Sequence, residues 1–161
     1  MSSADEEAIK RLYASYTDAV NRRDPAGMAA VYAEDVEFVI TQHEHLGMGK
    51  PILGREKMLK GAARLMQDRD HVFQILHSTL VEVDGDRAKS RCWFSEVKKP
   101  VGRNWEYGFL VFQDEAVKLP EGWRIARRNV ASLLRRELSA TEFETWPFVD
   151  MLGLAGMVPD R

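Results

Sequence analysis

Val83-Asp84-Gly85-Asp86 is the segment that most limits the folds open to this chain. An Asp-Gly step between two alternating runs favours a two-residue hairpin turn, because glycine accepts the positive φ that the twist of the strands demands. Pairing Val83 with Asp86 sets a register. Gln74 then lies opposite Ser95, Leu76 opposite Trp93 and Val72 opposite Val97 on one face, while Phe73, Ile75, His77, Cys92, Phe94 and Glu96 occupy the other. Both faces are substantially apolar, so helices are expected over one and a second subunit or the tail over the other.

The segments around the hairpin supply those helices. Ser3 and Glu6 have capping-box spacing, and Ile9, Leu12, Tyr13, Tyr16 and Val20 recur at helical intervals, predicting a helix to about Arg22. Asp24-Pro25 caps a short second helix ending near Asp35, and Val36 to Thr41 alternates as a strand. After Gly47, Gly49, Pro51 and Gly54, the stretch Arg55 to Gln67 resumes a helical pattern. Strands are expected over His71 to Val83, Arg87 to Lys98, Asn104 to Gln113 and Trp123 to about Leu134.

Composition narrows the class of partner. A chain of 161 residues, 45% hydrophobic, forms one domain with a sizeable core. Its net charge of -2, without a lysine-rich run, argues against nucleic acid. The lone Cys92 cannot form an internal disulfide, and Met1 to Lys10 lacks a signal-peptide core, so a cytoplasmic location is expected. No apolar stretch approaches the roughly 20 residues of a membrane span.

The stretches "LYASYTDAVNRRD", "LVEVDGDRA" and "GWRIARRNV", in that order, resemble the SnoaL-like branch of the nuclear transport factor 2-like superfamily over about Glu6 to Leu134. The resemblance implies an α+β cone, with three N-terminal helices packed on a strongly curved mixed or antiparallel sheet around an internal pocket. It covers a domain of residues 1–138, leaving 139–161 as a tail. Members include dehydratases, isomerases, polyketide cyclases, a dehydrochlorinase and dioxygenase β subunits, so fold does not name the reaction. In the dehydratases and the dehydrochlorinase, an aspartate orients a histidine that takes a proton from carbon. Here those positions carry Asn21 and Gln74, amides that bind and orient but do not act as bases near neutral pH.

The remaining candidates are read two ways. Tyr16 matches a pocket tyrosine that polarises a substrate oxygen, or is a core residue of the first helix. Arg128 matches a pocket arginine of the dehydrochlorinase, or forms a salt bridge to a helix carboxylate. Tyr16, Asn21, Gln74 and Arg128 are therefore the candidate catalytic set, with Val20, Met58, Met66, Leu76, Trp93 and Ser95 as the substrate-binding lining. His77 and Glu96 are alternative acid-base groups, but the register turns both away from Gln74: a bulge would be needed to bring His77 inward, and Glu96 shares that outer face as its possible partner across from Phe73. His43 and His45 lack a convincing third ligand, so no metal is expected, and no cofactor is implied.

The expected activity is cofactor-independent lyase, isomerase or cyclase chemistry on a hydrophobic, oxygen-bearing ring compound. The alternative is a non-catalytic binding or accessory subunit resembling a dioxygenase β subunit. The tail carries Phe143, Trp146, Phe148, Met151 and Leu152, so it is expected to cover the pocket mouth or clasp a second subunit in a homodimer or homotrimer formed through the sheet face. Truncation after Leu138 is expected to lower both the mass measured by light scattering and the melting temperature. Unchanged mass and stability would exclude the clasp.

Overall fold

The computed structural model describes residues 3–41 and 50–138. In chain order these form α1 (Ser3–Asn21), α2 (Pro25–Ala30), β1 (Tyr32–Ile40), β2 (Ile52–Leu53), α3 (Arg55–Gln67), β3 (Arg69–Asp84), β4 (Arg87–Pro100), β5 (Trp105–Leu119) and β6 (Gly122–Leu138). The strands make one six-stranded sheet in the order β2-β1-β6-β5-β4-β3. All neighbours are antiparallel except β1 and β6, so the chain is α+β with a mixed sheet. Among the described residues, no helix is long and apolar enough to cross a membrane.

The expected stripe on α1 is the buried one: Ile9, Tyr13, Tyr16 and Val20 face a core that includes Val72, Phe94, Phe112 and Ile125 from the sheet. Just beyond α1, Arg23 takes φ of 59°, an unusual conformation for a residue with a Cβ. Its guanidinium holds the turn in place by donating to the backbone carbonyls of Met66, Arg69 and Asp70, where α3 ends and β3 begins. Asp24 caps α2 as expected, its Oδ1 accepting from the Gly27 N–H at 2.9 Å. Gly27 has no room for a side chain, since a Cβ there would stand 2.5 Å from Asp24 Oδ2 and 2.9 Å from the Ala19 methyl.

The second helix is shorter than expected. It stops at Ala30 rather than near Asp35, and the strand begins at Tyr32 rather than Val36. The Ile125 N–H donates to the Val31 carbonyl, and Tyr32 pairs with Ile125, so contact with β6 takes this segment out of the helix. Similarly, β5 and β6 run on to Leu119 and Leu138, beyond the expected ends at Gln113 and Leu134, because each completes the other's backbone pairing.

The hairpin forms where expected but in another register. Asp84 pairs with Arg87 and Val83 with Ala88, leaving Gly85-Asp86 as the two-residue loop, with positive φ at Gly85 alone. That pattern fits a type II′ turn, which needs glycine only at its first central position. A bulge at His77 then lets Leu76 face Phe94 and Ser78 face Trp93, so Gln74 meets Glu96 instead of Ser95. A one-residue offset exchanges the faces of a strand. Glu96 therefore shares the helix-covered face with Gln74, whereas Trp93 and Ser95, expected beside it, point outward.

The outer face leaves Phe73 43%, Ile75 56%, Leu80 59% and Leu134 54% exposed among the described residues. The tail expected to cover it lies outside the described residues, as do His43 and His45.

Beneath the helices lies a fully buried ion pair. Asp114 and Arg128 are direct cross-strand partners on β5 and β6, and both side chains are 0% exposed. Arg128 Nε and Nη2 donate to the carboxylate, the shortest contact being 2.7 Å, while Nη1 donates to the Tyr32 hydroxyl at 2.8 Å. The Tyr13 hydroxyl donates to Asp114 Oδ2 at 3.0 Å and also meets the Ser90 hydroxyl. The rings of Phe112, Tyr16, Tyr32 and Tyr13 surround the guanidinium carbon at 4.4 to 5.7 Å. Burial opposes the charge on Arg128, but Asp114 and Tyr32 raise its pKa well above the usual value and keep it protonated.

A more exposed network closes one end of the sheet. Glu106 accepts from Arg135 at 2.6 Å and lies 3.4 Å from Arg103 and 3.8 Å from Lys98. Burial works to raise the Glu106 pKa, but Arg135, Lys98 and Arg103 together hold it below the usual glutamate value. Its folded value is depressed, so its stabilising contribution is present above the unfolded pKa and lost as pH falls through the folded one.

Three outcomes follow for stability. Asp114→Ala is expected to cost about 3–5 kcal/mol in urea denaturation by stranding a buried guanidinium, whereas Asp114→Leu combined with Arg128→Met recovers most of that loss. Equal loss in the double variant would show that packing, not charge, dominates there. Gly27→Ala is expected to destabilise the fold despite the gain of about 1 kcal/mol in helix propensity, with a higher melting temperature as the contrary result. Glu106→Gln is expected to melt lower than the native chain at neutral pH, with the gap closing below about pH 4.5 as Glu106 takes up its proton.

Candidate functional site

The helix-covered face of β3 and β4 brings together Gln74, Glu96 and, from α1, Tyr16. Gln74 is 7% exposed and Tyr16 8%, while the Glu96 side chain is 12% exposed. Gln74 and Glu96 are cross-strand partners, and Gln74 Nε2 donates to Glu96 Oε2 at 2.9 Å. Lys98 forms an ion pair with the other carboxylate oxygen at 2.7 Å. Burial raises the Tyr16 pKa, Arg128 opposes this, and the charge of Glu96 adds to the rise. Tyr16 therefore keeps its proton and is a donor at neutral pH.

Arg128 Nη1 donates to the Tyr32 hydroxyl at 2.8 Å, and the Tyr32 ring meets the Tyr16 ring edge to face with centroids 6.3 Å apart.

Asn21 takes a different role from the one its position suggests. Its Nδ2 donates to the backbone carbonyl of Gln74 at 3.0 Å, and its Oδ1 accepts from the backbone N–H of Gln74 at 2.7 Å. The amide thus behaves like one residue of a neighbouring strand along the open edge of β3. An aspartate could accept from that N–H but could not donate to the carbonyl. Since the backbone groups of Gln74 face Asn21, Gln74 and Glu96 form a non-hydrogen-bonded pair, the type in which side chains approach most closely.

Arg128 is equally committed. Every direction of its guanidinium is taken by Asp114, Tyr32 or an aromatic ring, and its partner is a strand carboxylate rather than a helix carboxylate. Burial also pushes the Cys92 thiol up to about 12, so that group is unreactive at neutral pH.

Among the expected lining residues, Val20 and Met66 are buried in the core, with Met58 and Leu76 packed against it. Trp93 and Ser95 are corrected to the outer face: Ser95 meets His77 Nε2 at 3.0 Å, and Trp93 packs against Phe109. His77 itself stacks on Phe109 at 5.5 Å, so the bulge does not bring it to Gln74. Two surface depressions of about 450 and 390 Å3 lie beside α1 with Trp123 and over the outer face near Arg91 and Arg127; neither includes Tyr16, Gln74 or Glu96.

Glu96 is the ionisable residue whose place on the covered face the expected register hides. A signal for it exists in β4, where the charged Arg87, Lys89 and Arg91 alternate with Ala88, Ser90, Cys92 and Phe94. That alternation turns the even-numbered residues, Glu96 included, toward the core.

Comparison with known proteins places this arrangement in a wider group. No curated protein matches the sequence. A putative scytalone dehydratase from Novosphingobium aromaticivorans superposes with a TM-score of 0.73 at 16% identity, covering 85% of this chain and 89% of that one. A hexachlorocyclohexane dehydrochlorinase, LinA type 2, gives 0.76 at 19% identity over 89% and 94% of the two chains. An NTF2-like protein with a cystatin-like fold from N. aromaticivorans gives 0.65 at 24% identity over 86% of each. At these identities the likeness is one of fold. The SnoaL-like domain family itself matches residues 1–129, which together with the helix order and the mixed sheet shows that this chain belongs to the SnoaL-like family.

Proposed function

We propose that this chain is a cofactor-independent lyase or isomerase acting on a hydrophobic, oxygen-bearing ring compound held between α1, α3 and the covered face of the sheet. The observation that carries this reading is Glu96, an ionisable group on that face that accepts from Gln74 Nε2 at 2.9 Å and whose charge reaches the Tyr16 phenol. Glu96 takes a proton from a substrate carbon. Negative charge then develops on the adjoining oxygen, where the Tyr16 hydroxyl donates to it. In a lyase the electron pair goes on to expel a leaving group; in an isomerase the proton returns at another carbon. Gln74 aligns the carboxylate through its Nε2, and the half-buried apolar side chains of Met58 and Leu76 supply the surface for a ring, backed by Val20 and Met66 in the core.

The names of two structural neighbours, a dehydratase and a dehydrochlorinase, support elimination chemistry as the first class to test. A second reading, a non-catalytic binding or accessory subunit, is favoured by the structural commitment of Asn21 and Arg128, which removes two of the groups expected to act. Both readings place the ligand on the same face.

The test begins with thermal stabilisation by a panel of aromatic, terpenoid and polyketide compounds, followed by product analysis of each stabilising compound. Glu96→Gln is expected to keep ligand stabilisation while lowering kcat by about 10²–10⁴-fold. Tyr16→Phe is expected to lower kcat by roughly 10²-fold with the melting temperature little changed. Native turnover in Glu96→Gln would remove Glu96 as the base. A compound that stabilises the protein and is recovered unchanged would favour the binding subunit.

A further inference from the structure

Gln74 is held more firmly than packing alone requires. Its backbone is tied at both the N–H and the C=O by Asn21, and its Nε2 is tied to Glu96. The amide cannot be turned over to satisfy Glu96 the other way, because a carboxylate ion-paired with Lys98 at 2.7 Å accepts hydrogen bonds and has none to give. The orientation of the amide is therefore set by chemistry. Its Oε1 is buried and has no hydrogen-bond partner among the described residues.

An unmet buried acceptor is costly, and a ligand that supplies a donor recovers the cost. We propose that Gln74 is a specificity-determining residue that selects hydroxyl- or amine-bearing ring compounds over the matching ketones and ethers. A hydroxyl hydrogen meets Oε1 directly. A ketone or ether of the same shape presents lone pairs to a lone pair and leaves Oε1 unsatisfied. Tyr16 has the opposite polarity: its phenol is a donor, and it meets an oxygen acting as acceptor. A ring hydroxyl therefore donates to Gln74, while the carbonyl oxygen on which charge develops is a separate group that accepts from Tyr16. Gln74 thus discriminates at the hydroxyl position alone, through a single neutral side chain, and leaves the carbonyl that Tyr16 meets unaffected. This inference rests on the reading that an apolar ring compound binds on the covered face.

Binding of tetralin, 2-tetralol, 2-tetralone and 2-methoxytetralin, measured by calorimetry on the native chain and on Gln74→Met, tests it. The native chain is expected to bind the alcohol roughly tenfold more tightly than the ketone or ether. In Gln74→Met the preference is expected to fall to within about twofold, with ketone affinity retained. Equal binding of alcohol and ketone to the native chain, or a preference that survives in Gln74→Met, overturns the assignment while leaving the apolar site standing. Failure of all four compounds to bind at millimolar concentration removes the apolar site and the selectivity together. Should Gln74→Met not fold, a crystal structure of the native chain with 2-tetralol decides: a ligand oxygen within about 3.2 Å of Gln74 Oε1 supports the proposal, and any other placement overturns it.

Discussion

Asp114 and Arg128 sit where a charge is hardest to keep, on the covered face of the sheet with no exposed side-chain surface, and much of the molecule is arranged to make that tolerable. The carboxylate accepts from the guanidinium and from Tyr13, the guanidinium donates to Tyr32, and aromatic rings cover the rest. These contacts join β5 and β6 to α1 and β1. A slip of α1 by one turn, or of β6 by one residue, would leave a charge without its partners. Apolar packing would tolerate such slips more readily, because it is not directional. The ion pair thus acts chiefly as a register pin.

Its consequence for function is a division of labour along α1. Tyr13, one turn earlier, is consumed by the pin, whereas Tyr16 touches the same guanidinium with its ring face and directs its hydroxyl chemistry elsewhere. Arg128 and Asn21, both expected from the sequence to meet a substrate, hold structure: one fixes the sheet to the helices, the other fixes the edge of β3. The ionisable group on the covered face beside Gln74 is Glu96, on the neighbouring strand. Glu96 with Gln74 puts a carboxylate and an amide across β3 and β4, and the charges of Lys98 and Glu106 continue the line to the end of the sheet.

The helices were legible because their cues are local. A stripe of Ile9, Tyr13, Tyr16 and Val20 and the Asp24 cap each depend on residues within a few positions. The end of α2 was not, because Val31 and Tyr32 leave the helix to pair with Ile125, nearly a hundred residues away in sequence. The hairpin was visible as a hairpin, yet the choice between Asp84-Gly85 and Gly85-Asp86 as its loop turns on which residue takes positive φ. The His77 bulge has no local signature at all. It sets Glu96 opposite Gln74, where the hairpin register carried on without a bulge would set Val97.

By itself, then, the sequence determined the family, the α+β class, the order of the three helices and of every strand but the short β2, the hairpin, and the presence of amides at Asn21 and Gln74, since each depends on residue identity or short-range pattern. Only the tertiary structure decided which face carries Glu96, that Arg128 is sealed around Asp114, and that Asn21 serves the backbone of β3. Those outcomes depend on the pairing of distant strands and on which buried polar groups find partners, and a single residue of register is enough to exchange one chemistry for another.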